Sequence, residues 1–189
     1  MTDNIRCFIA IELSQENQEN LSQIIKELKK SGADVKWVKP ENIHLTLKFL
    51  GETKASLVED IKKILQETAE QFEKFEFQLN ELGVFPKITS PRAIWVNAFE
   101  PAEIIARIVS TLEERLENLG FAKEGREFTP HITIGRVKSS DGRISLVEKL
   151  KQTKISQPQT QKVDKLTLLK STLTPSGPIY EVLSQASLK

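Results

Sequence analysis

The sequence predicts an α+β fold with two pseudo-symmetric lobes, each an antiparallel sheet with helices on its outer face, around a central cleft. Strand-like and helix-like segments follow one another along the chain without a linker or a low-complexity stretch. Two of the predicted strands carry the same His-x-Thr spacing, at His44 and at His131, about half the chain apart. This repetition indicates an internal duplication, so we expect residues 1–189 to form a single bilobal domain.

The first half of the chain alternates between segments with the periodicity of a strand and segments with the periodicity of a helix. Ser14 is a good helix cap, and Gly32 is suited to end the helix that follows it. Apolar residues then recur with period two up to Gly51, which is typical of a half-buried strand. The predicted elements are, in order, a strand over 6–13, a helix over 14–30, strands over 35–38 and 43–50, a helix over 56–72 and a strand over 75–84.

The second half repeats this order. Pro101 is placed to open a helix that ends at Gly120, and Pro130 introduces the second alternating strand. A polar turn over 174–178 separates the last two strands. The predicted elements are a strand over 93–99, a helix over 101–119, a strand over 131–137, a weaker helix over 146–150 and a strand pair over 163–170 and 179–183.

Composition excludes several classes of protein. No segment approaches the roughly 20 apolar residues that span a bilayer, and the first residues lack the pattern of a signal peptide, so we expect a cytoplasmic protein with no membrane partner. A net charge of +1 is too small for a non-specific nucleic-acid binder, so any RNA contact must be local. The one cysteine, Cys7, lies in an apolar run and is predicted to be a core residue.

The His-x-Thr pairs place two kinds of polar group on one face of each strand. Residues two apart on a strand project from the same face, so His44 and Thr46 share a face, as do His131 and Thr133. These are the two histidines of the chain. A lone histidine on a strand is usually structural, but two copies in the same short context favour a functional site.

Two imidazoles can act as an acid and base pair near neutral pH. One accepts a proton from an attacking water while the other donates a proton to a departing alkoxide. Metal binding is the competing use, but structural zinc takes four protein ligands and catalytic zinc three, and no spaced carboxylates accompany the histidines. The sequence therefore favours a site without a metal or another cofactor.

The remaining candidates are groups that could hold a phosphate. The hydroxyls of Thr46 and Thr133 can donate hydrogen bonds to phosphoryl oxygens, and Arg136 can add a cation. Arg136 lies five residues after His131, so strict alternation would direct it to the opposite face. Only a bulge or twist after Gly135 would return it to the cleft; otherwise it is a solvated strand end.

The chain resembles the two-histidine (2H) phosphoesterase superfamily, and within it the RNA 2',3'-cyclic phosphodiesterase (2'-5' RNA ligase) family. The paired HxTx motifs, in His44–Gly51 and Pro130–Arg136, are typical of the superfamily. Shorter segments along nearly the whole chain point to the narrower family. They are Arg6–Ala10, Trp37-Val38, Pro40–Asn42, Gly83–Pro86, Pro91-Arg92 before Trp95, and the ending Ser171-x-Leu173-x-Pro175-x-Gly177 with Tyr180.

The resemblance implies hydrolysis of the 2',3'-cyclic phosphate at an RNA 3' end to a 2'-phosphomonoester. It implies that His44 donates a proton to the leaving O3', that His131 activates water, and that Thr46, Thr133 and Arg136 hold the phosphate. It calls for no cofactor and no obligate protein partner, and the reverse reaction with a 5'-hydroxyl would give 2'-5' ligation. Phe8, Phe49 and Phe85 are candidates to stack on the base, although each could equally be a core residue.

Two other hypotheses remain open from the sequence. The chain could be a non-catalytic binding module for RNA or nucleotide phosphate ends, although binding alone needs no proton donor and acceptor. It could also be an esterase that acts on another cyclic phosphate or on a 2'-5' linkage.

Overall fold

The described residues form ten strands and four α-helices in mixed order. The computed structural model describes residues 3–98, 102–125, 127–155 and 159–189. The elements are β1 (Asn4–Glu12), α1 (Gln15–Lys29), β2 (Val35–Trp37), β3 (His44–Lys54), α2 (Val58–Ala69), β4 (Phe75–Leu79), β5 (Leu82–Lys87), β6 (Ser90–Asn97), α3 (Ala102–Glu117), β7 (His131–Val137), α4 (Arg143–Gln152), β8 (Gln159–Val163), β9 (Lys165–Thr174) and β10 (Gly177–Ser187). Within the described ranges, no helix is long and apolar enough to span a bilayer.

The strands form two four-stranded sheets and one two-stranded ladder. The first sheet has the order β10-β9-β1-β3, the second has the order β2-β7-β6-β5, and β4 pairs with β8. Every pairing is antiparallel. Helices α2 and α3 pack on the first sheet, and α1 packs on β7 of the second. The predicted α+β class with two antiparallel sheets is confirmed.

The two sheets exchange strands between the halves of the chain. The unit β9-β1-β3 in the first sheet corresponds to β5-β6-β7 in the second, with a histidine opening β3 and β7. Strand β5 comes from the first half of the chain but lies in the second sheet, whereas β9 comes from the second half and lies in the first. Each lobe therefore contains strands from both halves, an exchange that the alternating sequence pattern does not reveal.

Most predicted boundaries agree with the structure to within a few residues. Ser14 caps α1 by accepting a hydrogen bond from the Asn17 backbone N–H, and Gly32 adopts a positive φ of 69° just after that helix. Cys7 is buried, as predicted, and burial raises the pKa of its thiol. The predicted strand end at Phe99 and helix start at Pro101 lie outside the described residues.

One predicted strand is wrong, because the run 75–84 divides into two strands. Strand β4 pairs with β8, and β5 pairs with β6 in the second sheet. The break at Asn80 and Glu81 is held by Asn97, whose Oδ1 accepts hydrogen bonds from both of their backbone N–H groups at 3.4 and 3.0 Å. The apolar residues change from odd to even positions at this break, and the prediction of one continuous strand overlooked that change. Strand β8 itself was not predicted.

A buried ion pair ties β3 to α3. Lys48 is 3 % exposed, and its Nζ lies 2.6 Å from Oε1 of Glu113 and 2.8 Å from the carbonyl oxygen of Ala122. Burial alone would raise the pKa of Glu113, but the hydrogen bonds from Lys48 and from the Glu124 N–H lower it below its ordinary value. The ion pair therefore places two opposite charges between α3 and β3, the strand that begins with His44.

Candidate active site

His44 and His131 are the first residues of two strands that approach each other. β3 lies at the edge of the first sheet and comes within 8 Å, between Cα atoms, of β7 in the second. The apolar neighbours of the histidines on these strands are fully or almost fully buried, whereas both histidines and both threonines remain partly exposed. The alternation thus directs the apolar side chains into the core and leaves the imidazoles on the partly exposed face of each strand.

Both strands carry a bulge at the same place. Thr46 pairs with Ala10 and Lys48 with Ile9, so that Leu47 is an extra residue on β3. In β7, the residues that pair on either side of the bulge are Thr133 and Gly135, and the extra residue is Ile134. The bulge that could return Arg136 to the cleft was expected after Gly135, but it lies one residue before it.

The bulge reverses the parity of the residues that follow. Two consecutive core-facing residues come after each threonine, so the fifth residue after each histidine returns to the face of the imidazole. That residue is Phe49 on β3 and Arg136 on β7, and both are exposed. Burial raises the pKa of the Tyr180 hydroxyl, on β10 of the first sheet, and the charge of Arg136 acts against this rise. A charge on the second sheet thus acts on a side chain of the first sheet.

The two imidazoles are held in the same orientation. Nδ1 of His44 lies 2.8 Å from the carbonyl oxygen of Asn42, and Nδ1 of His131 lies 2.8 Å from that of Thr129. A carbonyl oxygen only accepts, so each Nδ1 carries the proton and each Nε2 is the acceptor atom of the neutral imidazole. Nε2 of His44 also lies 3.0 Å from Oγ1 of Thr46.

The surroundings of His44 act on its protonation in opposite directions. Burial lowers the pKa of His44 below its ordinary value, and it outweighs the bond to the Asn42 carbonyl and the negative charge of Glu12, which both raise it. Burial also raises the pKa of the neighbouring Tyr180, against the effects of Arg136 and Arg6. The neutral imidazole is therefore favoured at His44 in the absence of a ligand.

Aromatic rings flank each histidine on its own sheet. The Phe8 ring lies 4.8 Å from His44 and Tyr180 meets His44 edge-on at 5.3 Å, whereas Phe85 meets His131 edge-on at 5.2 Å. Phe8 is only 3 % exposed, so it is a core residue beneath the cleft face, while Phe49 is 57 % exposed. Phe49 and Phe85 thus remain as surface aromatics that a nucleobase could reach.

Trp95 completes the aromatic wall beside His131. Its ring lies 5.0 Å from that of Phe85 and 6.3 Å from that of His131. A Cβ atom at Gly83 would lie 2.1 Å from the indole, so only glycine lets the ring lie across β5. The resemblance includes Gly83 and Trp95, but the spacing of the residues alone gives no sign that they touch.

Sequence reasoning missed two polar residues that face the histidines. Glu12 pairs with His44 across β1 and β3, and Asn97 pairs with His131 across β6 and β7. Each ends its strand, so a strand register would have been needed to find it. Among the described residues, no group of three or more His, Cys, Asp or Glu is arranged to hold a metal ion.

A family comparison matches the chain twice. The family described as LigT like phosphoesterase matches residues 11–95 and 98–180. The two matches together span most of the chain, and each contains one His-x-Thr pair. The duplication inferred from the motifs is therefore also found by the comparison.

Relatives and solved structures agree with this match. An RNA 2',3'-cyclic phosphodiesterase of Thermotoga maritima is 37 % identical over 185 residues, covering 98 % of this chain and 96 % of the relative. One of Methanocaldococcus jannaschii is 36 % identical over 181 residues, covering 96 % and 99 %. A crystal structure of a Thermus thermophilus protein superposes with a TM-score of 0.81 at 26 % identity, over 97 % of this chain and 98 % of that one. Escherichia coli LigT complexed with 3'-AMP has the same fold, with a TM-score of 0.77 at 24 % identity over 99 % of both chains. The chain belongs to the LigT-like phosphoesterase family.

Proposed function

We propose that this protein is an RNA 2',3'-cyclic phosphodiesterase, which opens the cyclic phosphate at an RNA 3' end to leave a 2'-phosphomonoester. The observation that carries the proposal is the matched pair of imidazoles: each opens a strand, each is held through Nδ1 by a backbone carbonyl, and the two strands approach within 8 Å between Cα atoms. Relatives such as those of Thermotoga maritima and Methanocaldococcus jannaschii, aligned over nearly their whole length, are RNA 2',3'-cyclic phosphodiesterases.

The reaction is an in-line displacement at phosphorus. Nε2 of neutral His131 accepts a proton from water as the water oxygen bonds to phosphorus. The bond from phosphorus to O3' breaks, and protonated His44 donates its Nε2 proton to that oxygen. Each histidine needs its Nε2 for this transfer, and the Nδ1–H bonds to backbone carbonyls keep Nε2 directed to the cleft.

The phosphate is held by hydroxyls and one cation. Oγ1 of Thr46 and Nε2 of His44 are 3.0 Å apart, so one phosphoryl group can contact both. Thr133 stands in the same relation to His131 by sequence and by strand register. Arg136, returned to the cleft face by the bulge at Ile134, supplies charge-assisted hydrogen bonds to the non-bridging oxygens as negative charge accumulates.

The partner is an RNA or oligonucleotide 3' end that carries the cyclic phosphate. Because O3' is part of the ribose and leaves on the His44 side, the nucleoside is placed against the wall of the first sheet. Phe49 is the exposed aromatic of that wall. A base that stacks there gains about 1–3 kcal/mol without strong sequence preference.

The test is turnover of nucleoside 2',3'-cyclic phosphates and of an oligonucleotide with a cyclic phosphate end, with the product identified by ³¹P NMR. We expect the 2'-phosphomonoester. Binding without turnover would instead favour a binding module, and a 3'-phosphomonoester would show that O2' leaves and would overturn the assigned geometry.

A second arm of the test uses exhaustive treatment with a chelator. We expect full activity afterwards, because hydroxyls and Arg136 carry the phosphate charge in the proposed mechanism. Loss of activity that added zinc or magnesium restores would overturn this part of the proposal.

A further inference from the structure

The residues opposite the two histidines differ in charge. Glu12 ends β1 and pairs with His44, and Asn97 ends β6 and pairs with His131. Because β1-β3 and β6-β7 correspond to each other in the two sheets, these are equivalent places, one with a carboxylate and one with an amide. The amide oxygen of Asn97 is already used to hold the break between β4 and β5.

The Glu12 carboxylate is held in a fixed position. Its Oε2 accepts hydrogen bonds from Oγ1 of Thr167 at 2.8 Å and from Nε2 of Gln185 at 2.9 Å. Thr167 is fully buried on β9, the neighbour of β1, and Gln185 lies on β10, one strand further in the same sheet. Two bonds from two strands keep the carboxylate beside His44 without a direct bond between them.

Resting on the proposed function, we infer that Glu12 is the positioning residue that makes His44, and not His131, the proton donor. A donor must be charged before it can act, and a nearby fixed negative charge stabilises an imidazolium. The first sheet supplies such a charge at His44, where burial opposes protonation. The second sheet supplies none at the equivalent place, which suits a base that must stay neutral.

The other charged and titratable groups around His44 are less suited to this role. Lys39 and Glu41, from the turn before β3, line the same cavity of about 270 Å³ as His44 and Glu12. Both are exposed and opposite in charge, so solvent and their mutual cancellation weaken their effect. Tyr180 contacts the imidazole edge-on. Burial raises the pKa of Tyr180, and the charges of Arg136 and Arg6 act to lower it against this larger effect.

The direct test is the pH dependence of kcat in Glu12→Gln, because kcat reports the enzyme–substrate complex, in which the phosphate anion favours protonated His44. Glutamine keeps an oxygen for Thr167 and removes the charge. The protonated donor is then lost at lower pH, so the alkaline limb of the bell-shaped profile should move to lower pH while the acidic limb stays in place. We expect activity on the alkaline side to fall several-fold and to recover as the pH is lowered.

Two further variants serve as matched comparisons. Asn97→Asp keeps the acceptor oxygen but adds a charge opposite His131, so it should move the acidic limb to higher pH instead. Glu41→Gln removes an exposed carboxylate from the same cavity and should leave both limbs unchanged. An equal loss of activity at every pH in Glu12→Gln would indicate a purely structural role and would overturn the inference, as would a shift of the acidic limb.

A second readout does not depend on turnover. The chain has two histidines, so NMR titration of the imidazole protons, assigned with His131→Gln, follows His44 directly. Glu12→Gln should lower the pKa of His44 and leave that of His131 in place. If wild type failed to hydrolyse cyclic phosphates, the proposed function would fail while this titration still tested Glu12; an unchanged His44 titration in a folded variant would refute the role of Glu12 alone.

Discussion

The sheets that carry His44 and His131 share a backbone arrangement and the His-x-Thr motif but differ in several of the side chains around it. Both strands begin with a histidine whose Nδ1 bonds to the carbonyl two residues earlier, and both have a bulge three residues later. After the bulge, one strand directs Phe49 to the cleft and the other directs Arg136. The shared geometry supplies two equivalent Nε2 atoms, and in the proposed mechanism the differences assign them unequal tasks.

The largest effects should follow from removing either imidazole. We expect His44→Ala and His131→Ala each to lower kcat by about 10²- to 10⁴-fold, because each proton transfer is lost. Circular dichroism and a melting curve should show that both variants are folded. Substantial activity in either variant would contradict a mechanism that uses both lobes.

An activated substrate should then separate the two variants. A phosphodiester with a nitrophenolate leaving group needs no proton donor, so it should partly restore the rate of His44→Ala. His131→Ala lacks the group that activates water, so the same substrate should not restore it. Equal rescue of both variants would contradict the assignment of His44 as acid and His131 as base.

The position four residues after each histidine differs in a way that should affect stability. It is Lys48 on β3, buried and paired with Glu113, and Gly135 on β7, where an added Cβ would lie 2.9 Å from the Trp37 ring. Lys48→Met should lower the free energy of unfolding by about 1–3 kcal/mol, because the partly buried Glu113 carboxylate loses its partner.

Denaturant unfolding measures this effect, with the double variant Lys48→Met/Glu113→Gln as its control. The second change removes the unpaired charge and keeps an acceptor for the Glu124 N–H, so it should recover much of the loss. A Lys48→Met variant as stable as wild type would show that the ion pair makes no net contribution.

The fifth residue after each histidine offers a matched pair on the cleft face. Arg136→Ala should lower kcat/KM by about 10²-fold or more, because the cation that stabilises the phosphoryl oxygens is lost. Phe49→Ala should raise KM by roughly fivefold, about 1 kcal/mol of stacking, and leave kcat almost unchanged. Steady-state kinetics on a cyclic-phosphate nucleotide would test both, and a larger effect of Phe49→Ala on kcat than on KM would contradict its role in holding the base.

The sequence predicted the fold class because its evidence is local. The alternation on either side of His44 and His131 directs apolar residues inward whichever strands lie beside them, and the Ser14 cap acts within its own helix. At Asn80 the apolar residues shift from odd to even positions, which marks a break, but the partner strand on each side of it is set by tertiary pairing. The exchange of β5 and β9 between lobes has the same origin.

The candidate site shows the same difference between features that are local in the sequence and features that depend on strand pairing. The two histidines and the two threonines were predicted from their spacing on a strand. The placement of Arg136 on the face of His131 requires a bulge, which the sequence analysis predicted one residue later than it occurs. Glu12 and Asn97 become visible only through strand register, because each is separated from its histidine by more than 30 residues of chain. The residues that distinguish the two lobes are thus the ones that can be found only in the structure.

The smallest expected effect concerns stability and the unequal environments of the histidines. Burial lowers the pKa of His44 in the folded protein. The unfolded chain, with an ordinary histidine pKa of about 6.5, therefore binds a proton more readily than the folded protein as the pH falls. The stability associated with neutral His44 is fully present above that value and is lost as the pH falls through the lower, folded pKa.

The measurement is the free energy of unfolding of wild type and of His44→Gln between pH 7.5 and 5, since glutamine does not titrate. The wild type should lose more stability than the variant over this range, while His131 and the carboxylates contribute to both and cancel in the comparison. Adding a phosphate-bearing ligand should diminish the difference, because an anion beside His44 favours its protonated form. If His44→Gln lost as much stability as the wild type without ligand, the imidazole of His44 would titrate alike in the folded and unfolded chains. The two lobes would then differ in their side chains but not in the protonation of their histidines.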